Sequence, residues 1–239
     1  MKNKYNFASR AALFVLALTA SFALLNTAIA QAPPGSLWYN GDFNGVNGLA
    51  NEQNTIVSQA GVYDDFNVTG GGWHITAVFS DNLLNTTVTG ATWEIRSGVS
   101  EGNGGTLVAS GSGTPTVTPT GRSGFGFTEY MVEMTGINVN LAPGTYWLNV
   151  TPTGNGTGRS FNSTTSGMNC VGTPCGNNMN AFFNSTFFGA NFTSTSNESQ
   201  PYDFSNGVIG TVPEPTTIAL VTCGAGALLI AALRRRRSS

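Results

Sequence analysis

The chain has 239 residues, 31 of them glycine, and only 9% are charged, for a formal net charge of −2. The charge is uneven: Lys2, Lys4 and Arg10 open the chain, Arg234 to Arg237 nearly end it, and the body between roughly Gln31 and Val212 sets Arg96, Arg122 and Arg159 against eleven acids, an excess of eight negative charges. A lysine-free acidic body argues against nucleic acid as a partner, because phosphate contacts need basic groups. Its Gly, Ser, Thr and Asn content disfavours long helices, and the aromatics spread along it argue against disorder.

The first segment reads as a secretory signal. Lys2, Lys4 and Arg10 form a basic n-region, Ala11 to Leu25 is apolar, and Ala28-Ile29-Ala30 is a small-x-small cleavage site before Gln31. Residues 1–30 are therefore expected to be removed on export through the Sec machinery.

The body reads as short β-segments broken by Gly, Asn and Pro. Val62 to Phe66 is the first clear one. In Trp73 to Phe79 the alternation puts Trp73, Ile75, Ala77 and Phe79 on one face. Ala91, Trp93 and Ile95 point inward from the next segment, which leaves Glu94 and Arg96 as an outward pair. Thr106 to Ala109, Tyr130 to Met134, Ile137 to Leu141 and Thr145 to Val150 continue the series, and Phe182-Phe183, Phe187-Phe188 and Val208 to Thr211 close it. The spacing predicts an all-β fold, a β-sandwich or jelly roll over residues 31–211. Asn206-Gly207 is expected to be a hairpin turn, and Thr153 to Asn180, rich in Gly, Ser and Asn, a long loop.

Chemistry-bearing residues are few. Gly98-Val99-Ser100-Glu101-Gly102 has the spacing of a nucleophile elbow, but Asn103-Gly104-Gly105 follows where a helix would have to start. His74 is the only histidine and precedes that serine, so the segment reads as a turn. Asp65 to Gly70 begins like a calcium loop, yet its twelfth position is Thr76 rather than glutamate. A looser calcium site using Asp42, Asp64 or Asp65 stands beside the alternative of solvated strand acids. A glycosidase needs two carboxylates about 5 to 9 Å apart, and eleven acids make some such pair uninformative. Trp147 alternates with Thr145 and Asn149, opposite Tyr146, Leu148 and Val150; an open indole there would stack on a sugar ring. Cys170 and Cys175 read as a local disulfide in an oxidising compartment, since zinc would need a second ligand pair.

The last segment, residues 212–239, combines Pro213-Glu214-Pro215, an apolar run from Thr216 to Leu233 and Arg234, Arg235, Arg236 and Arg237. Eighteen residues at about 1.5 Å each span roughly 27 Å, enough for a single transmembrane helix. The arginines stay cytoplasmic by the positive-inside rule, which places the body outside. Together these features resemble the PEP-CTERM sorting signal of Gram-negative bacteria. The resemblance implies processing near Pro213-Glu214-Pro215 by an exosortase, a membrane transpeptidase, and a setting in biofilm or exopolysaccharide. Tyr63-Asp64-Asp65-Phe66, Trp93 to Gly98 and Leu141 to Trp147 resemble the β-sandwich bodies that often precede this signal, which carry no assigned activity.

The resulting expectation is a non-enzymatic envelope or matrix protein, structural or adhesive, without a required cofactor. It passes through the inner membrane to the cell surface or medium. A carbohydrate-binding module of the exopolysaccharide matrix is the alternative, and a secreted glycoside hydrolase a third.

Overall fold

The structure, a computed structural model, describes residues 32–54, 57–197 and 202–213. Ala28 and Ala30, Glu214 and Pro215, the apolar run and Arg234 to Arg237 lie outside the described residues. Among those described, no helix is long and apolar enough to cross a membrane.

The fold is all-β. The strands are β1 (Ser36–Tyr39), β2 (Phe43–Ala50), β3 (Glu52–Gln53), β4 (Gln59–Val68), β5 (Trp73–Leu84), β6 (Gly90–Ser97) and β7 (Thr106–Gly113), followed by β8 (Thr116–Gly124), β9 (Phe127–Leu141), β10 (Gly144–Thr153), β11 (Ser160–Thr165), β12 (Phe182–Ser185), β13 (Ala190–Ser194) and β14 (Asn206–Thr211). They form two sheets of seven strands each. In the first sheet β5 is the spine: β9 runs along one side of it, and β14 and β11 lie end to end along the other. The second sheet runs β13-β12-β4-β10-β6-β7, with β3 beside β4 and β10.

One apolar core lies between the sheets. Trp73, Ile75, Val78, Val132 and Met134 come from the first, and Phe66, Trp93, Ile95, Leu148 and Val150 from the second. Alternation accounts for most of this: Ala91, Trp93 and Ile95 point inward, as do Leu148 and Val150, with Tyr146 packed against the same cluster.

Three local expectations are corrected. In β5 the inward set is not Trp73, Ile75, Ala77 and Phe79. Opposite β14, Ile75 pairs with Gly210 and Ala77 with Ile209, so Thr76 is an extra, unpaired residue. Such a bulge turns the rest of the strand over. Val78 and Leu84 then join Trp73 and Ile75 in the core, while Phe79 faces outward against Tyr39, ring centroids 5.6 Å apart. Asn206-Gly207 is not a turn: both residues lie in β14 and pair with Ser80 and Phe79. Glycine is required there, since a Cβ on Gly207 would lie 2.1 Å from the Phe79 ring. The stretch from Thr153 to Asn180 is not all loop, because β11 lies within it and pairs with both β5 and β2. Asn162, Ser163 and Thr164 have too little apolar character to signal that strand, yet all three are buried. The rest of the segment does carry the Cys170–Cys175 disulfide.

Candidate functional site

The outward face of the second sheet divides into a sealed end and an open end. At the sealed end Trp147 packs with Tyr63, Val99, Phe182 and Phe192. The register explains this. Phe182 of β12 pairs with Tyr63 of β4, and Trp147 of β10 pairs with the nearby Asp65. Phe182 therefore reaches the indole, which it meets edge-on at 6.3 Å. Trp147 donates Nε1–H to the Asn180 carbonyl at 2.9 Å and is only 7% exposed. The residue expected to be an open stacking platform does leave the inter-sheet core, as its alternation predicts, but β12 and the loop before it cover the ring.

The open end is a polar groove of about 210 Å³. Successive outward positions build it: Gln59, Gly61 and Tyr63 from β4, Thr92 and Glu94 from β6, Asn149 and Thr151 from β10, with Gln53 and Asn184 at the margins. The floor is fixed by hydrogen bonds. Asn149 donates Nδ2–H to the Val62 carbonyl at 2.8 Å, and Thr151 donates to Asn149 Oδ1 at 2.8 Å. One wall is charged. Arg96 Nε donates to Glu94 Oε2 at 2.6 Å, the Tyr63 hydroxyl donates to the same oxygen at 3.0 Å, and the guanidinium lies over the Tyr63 and Phe192 rings. Burial, followed by the Glu94 charge, raises the Tyr63 hydroxyl well above its ordinary range, so it stays a donor. The amides of Gln53, Gln59 and Asn184 and the Thr92 hydroxyl meet no partner among the described side chains. Among the described residues the groove thus offers unspent amide and hydroxyl groups, one carboxylate and no apolar walls beyond Ala60 and Tyr63.

The acids expected to hold calcium are not brought to one point. Asp42 joins a cluster on the outward face of the first sheet, where Arg122 meets Asp42 at 2.9 Å, Asp81 at 3.0 Å and Glu129 at 2.5 Å. Tyr39 donates to Asp42 at 2.7 Å and Ser205 to Asp81 at 2.9 Å. Burial and then the Glu129 charge push Asp81 up to about 7, against the pull of Arg122. Asp64 and Asp65 instead neighbour Asp203. Asn40 and the Phe204 amide donate to Asp64 at 3.0 and 2.7 Å, and Asn178 donates Nδ2–H to Asp65 at 2.9 Å. Asp64 and Asp65 are raised by burial, and Asp203 is pushed up to about 6 by burial against backbone donors at Asn178, Met179 and Asn180. Among the described residues no three carboxylate, histidine or cysteine side chains are grouped so as to hold a metal ion.

The remaining candidates are placed as turns and surface. Ser100 and Asn103 exchange backbone hydrogen bonds at 2.9 and 2.8 Å, so Gly98–Gly102 belongs to a tight turn with no helix after it. His74 lies 3.0 Å from Asn140 across β5 and β9. Pro213 is exposed two residues after β14. Sequence reasoning found Glu94, Arg96 and the outward sense of Asn149, but not Gln59 or Asn184. Gln59 opens β4 ahead of the stretch from Val62 that the sequence marks as a strand, and Asn184 reaches the site only through the pairing of β12 with β4. Comparison with protein-family models, curated proteins and solved structures finds no match to this chain.

Proposed function

We propose that this is an exported envelope or matrix protein whose two-sheet body, a β-sandwich, holds extracellular polysaccharide in the polar groove of the second sheet. The observation that carries the reading is the set of unspent amides, Gln53, Gln59 and Asn184, over a floor already fixed by Asn149 and Thr151. Planar amides and hydroxyls pair with the vicinal hydroxyls of a sugar, each acting as both donor and acceptor. A site rigid before binding loses little entropy when it is filled. Among the described residues Glu94 is the only carboxylate lining the groove, which favours holding a glycan over hydrolysing it, since hydrolysis takes a pair.

Delivery follows from the ends of the chain. Sec export, a membrane stage through the C-terminal helix and exosortase processing near Pro213 are the sorting part of the proposal. The exposure of Pro213 just beyond the last strand supports access to that segment.

The test is titration of the full-length chain, purified in detergent, with the host's own exopolysaccharide. Saturable binding is expected, weakened about tenfold or more by Gln59→Ala with Asn184→Ala, which is ~1.4 kcal/mol or more. Binding that the double variant leaves unchanged, or no binding by a folded protein, overturns the groove assignment and leaves a scaffold role.

A further inference from the structure

A second concavity lies away from the groove, where the edge of the first sheet faces the β12–β13 hairpin. It encloses about 480 Å³, within the range of sites that bury a small organic molecule. Its wall is unlike the groove's. Leu49, Ala50, Phe161, Phe183, Phe188 and Ala190 make it mostly apolar. Phe183 and Phe188 stand 6.0 Å apart, and at the hairpin tip Phe187 and Phe188 remain 63% and 50% exposed. Phe187 also meets Phe188 edge-on at 4.9 Å, and an exposed aromatic group of this kind at a mouth is the sort of apolar patch that marks a ligand site.

Three polar side chains interrupt that wall; the Thr195 hydroxyl is taken up by the Tyr202 carbonyl at 2.7 Å, and the other two have capacity left. Arg159 donates Nε–H to Glu52 at 2.7 Å, and its guanidinium carbon lies over the Phe161 ring, 4.8 Å from the centroid. Glu52, 1% exposed, is itself held by Ser58 and by the Ser160 amide, which donates at 2.8 Å. The guanidinium is thus held through Nε while its terminal N–H groups meet no acceptor among the described residues. The Thr193 hydroxyl, also on the wall, has none either. A guanidinium held through Nε presents its other edge to a carboxylate for two parallel hydrogen bonds.

We propose that this cleft binds an aromatic carboxylate, its ring edge-to-face with Phe161, Phe183 and Phe188 and its carboxylate on the free edge of Arg159 with Thr193. Phenylalanine edges favour a ring over a flexible chain, because edge-to-face contacts add to area burial and a ring loses less freedom on binding. The site is separate from the polysaccharide groove, so either assignment can fail alone.

The probe is 4-benzoylbenzoate, a photoreactive aromatic carboxylate, irradiated with the full-length chain in detergent and mapped by peptide mass spectrometry. Labelling that saturates on the segments 48–50 and 183–195 is expected. Ala190→Phe, which fills the cleft, should abolish it. Thr193→Val, which keeps shape and leaves the Arg159–Glu52 pair alone, should reduce it several-fold, and the neutral amide of the probe should label about tenfold less. Labelling of these segments that persists in Ala190→Phe, or is absent from the wild type, overturns the site. Equal labelling by acid and amide overturns the ligand class. If Ala190→Phe does not fold, judged by its circular dichroism, the Thr193→Val and amide comparisons decide alone.

Discussion

Two arginines on the outward faces of the two sheets are placed in opposite ways. Arg122 faces three carboxylates, Asp42, Asp81 and Glu129, whose side chains are 6%, 3% and 0% exposed. Arg96 faces one, Glu94, and is otherwise covered by the Tyr63 and Phe192 rings. Around Arg122 most polar groups pair with one another, with Tyr39, Ser205, Thr120 and Asn169 added as donors, and the capacity left over, at Asp81 Oδ1 and Glu129 Oε1, is buried. Around Arg96 the polar surface continues into a groove where amides are left over. The two regions differ, then, less in polar content than in whether the hydrogen-bonding capacity left over is buried or open to solvent.

The largest effect should come from removing the first arginine. Arg122→Met would leave three buried carboxylates without their cation. Breaking a buried ion pair from one side costs about 3–5 kcal/mol, here roughly a 10 °C fall in melting temperature for a body of this size. Thermal denaturation measures it. A loss below about 1 kcal/mol would mean that the cluster is held by its neutral donors and that the two arginines are more alike than their surroundings suggest.

The two buried acid clusters should also make stability depend on pH in an unusual direction. Asp81 is pushed up to about 7 and Asp203 to about 6, both chiefly by burial, whereas an unfolded aspartate titrates near 3.9. Between those limits the folded state binds more protons than the unfolded one, so stability falls as pH rises from about 4 to 7 and levels off above. The protein should melt several degrees higher at pH 5 than at pH 8. Asp81→Asn, which fixes the neutral form, should flatten the upper part of that slope. A melting temperature that rises from pH 5 to pH 8 would show that Arg122 outweighs desolvation.

Much of this arrangement was legible, and the rest failed for definable reasons. Alternation in β10 correctly separates Tyr146, Leu148 and Val150 from Trp147 and Asn149. It could not show that Phe182 covers Trp147, because that contact depends on a strand pairing set 35 residues on. Alternation failed in β5, where the residue that breaks the period, Thr76, is itself an ordinary strand former. β11 was missed because its burial is polar: Asn162 donates to the Asp81 carbonyl at 2.9 Å and Thr164 to the Asn47 carbonyl at 2.9 Å, so no apolar pattern announces it. The acids were visible as candidates, but their grouping into one cluster with Arg122 and another around Asp203 is a matter of sheet order.

The smallest effect on stability, and the sharpest on the comparison, should come from Glu94→Gln. The Glu94 and Arg96 side chains are 29% and 19% exposed, and partly solvated pairs contribute about 0–1 kcal/mol. The variant keeps an oxygen for Tyr63 and Arg96 to bond, so its melting temperature should stay within about 2 °C of the wild type. Its effect on binding should be larger, because a carboxylate accepts sugar hydroxyls in charge-assisted bonds roughly twice as strong as neutral ones. A several-fold loss of polysaccharide affinity with an unchanged melting temperature would mark Glu94 as part of an open site, the reverse of what Arg122→Met should show. A large stability loss with unchanged affinity would mean that Glu94 serves Arg96 and the aromatic cover, and that the groove's recognition rests on Gln59, Asn149 and Asn184.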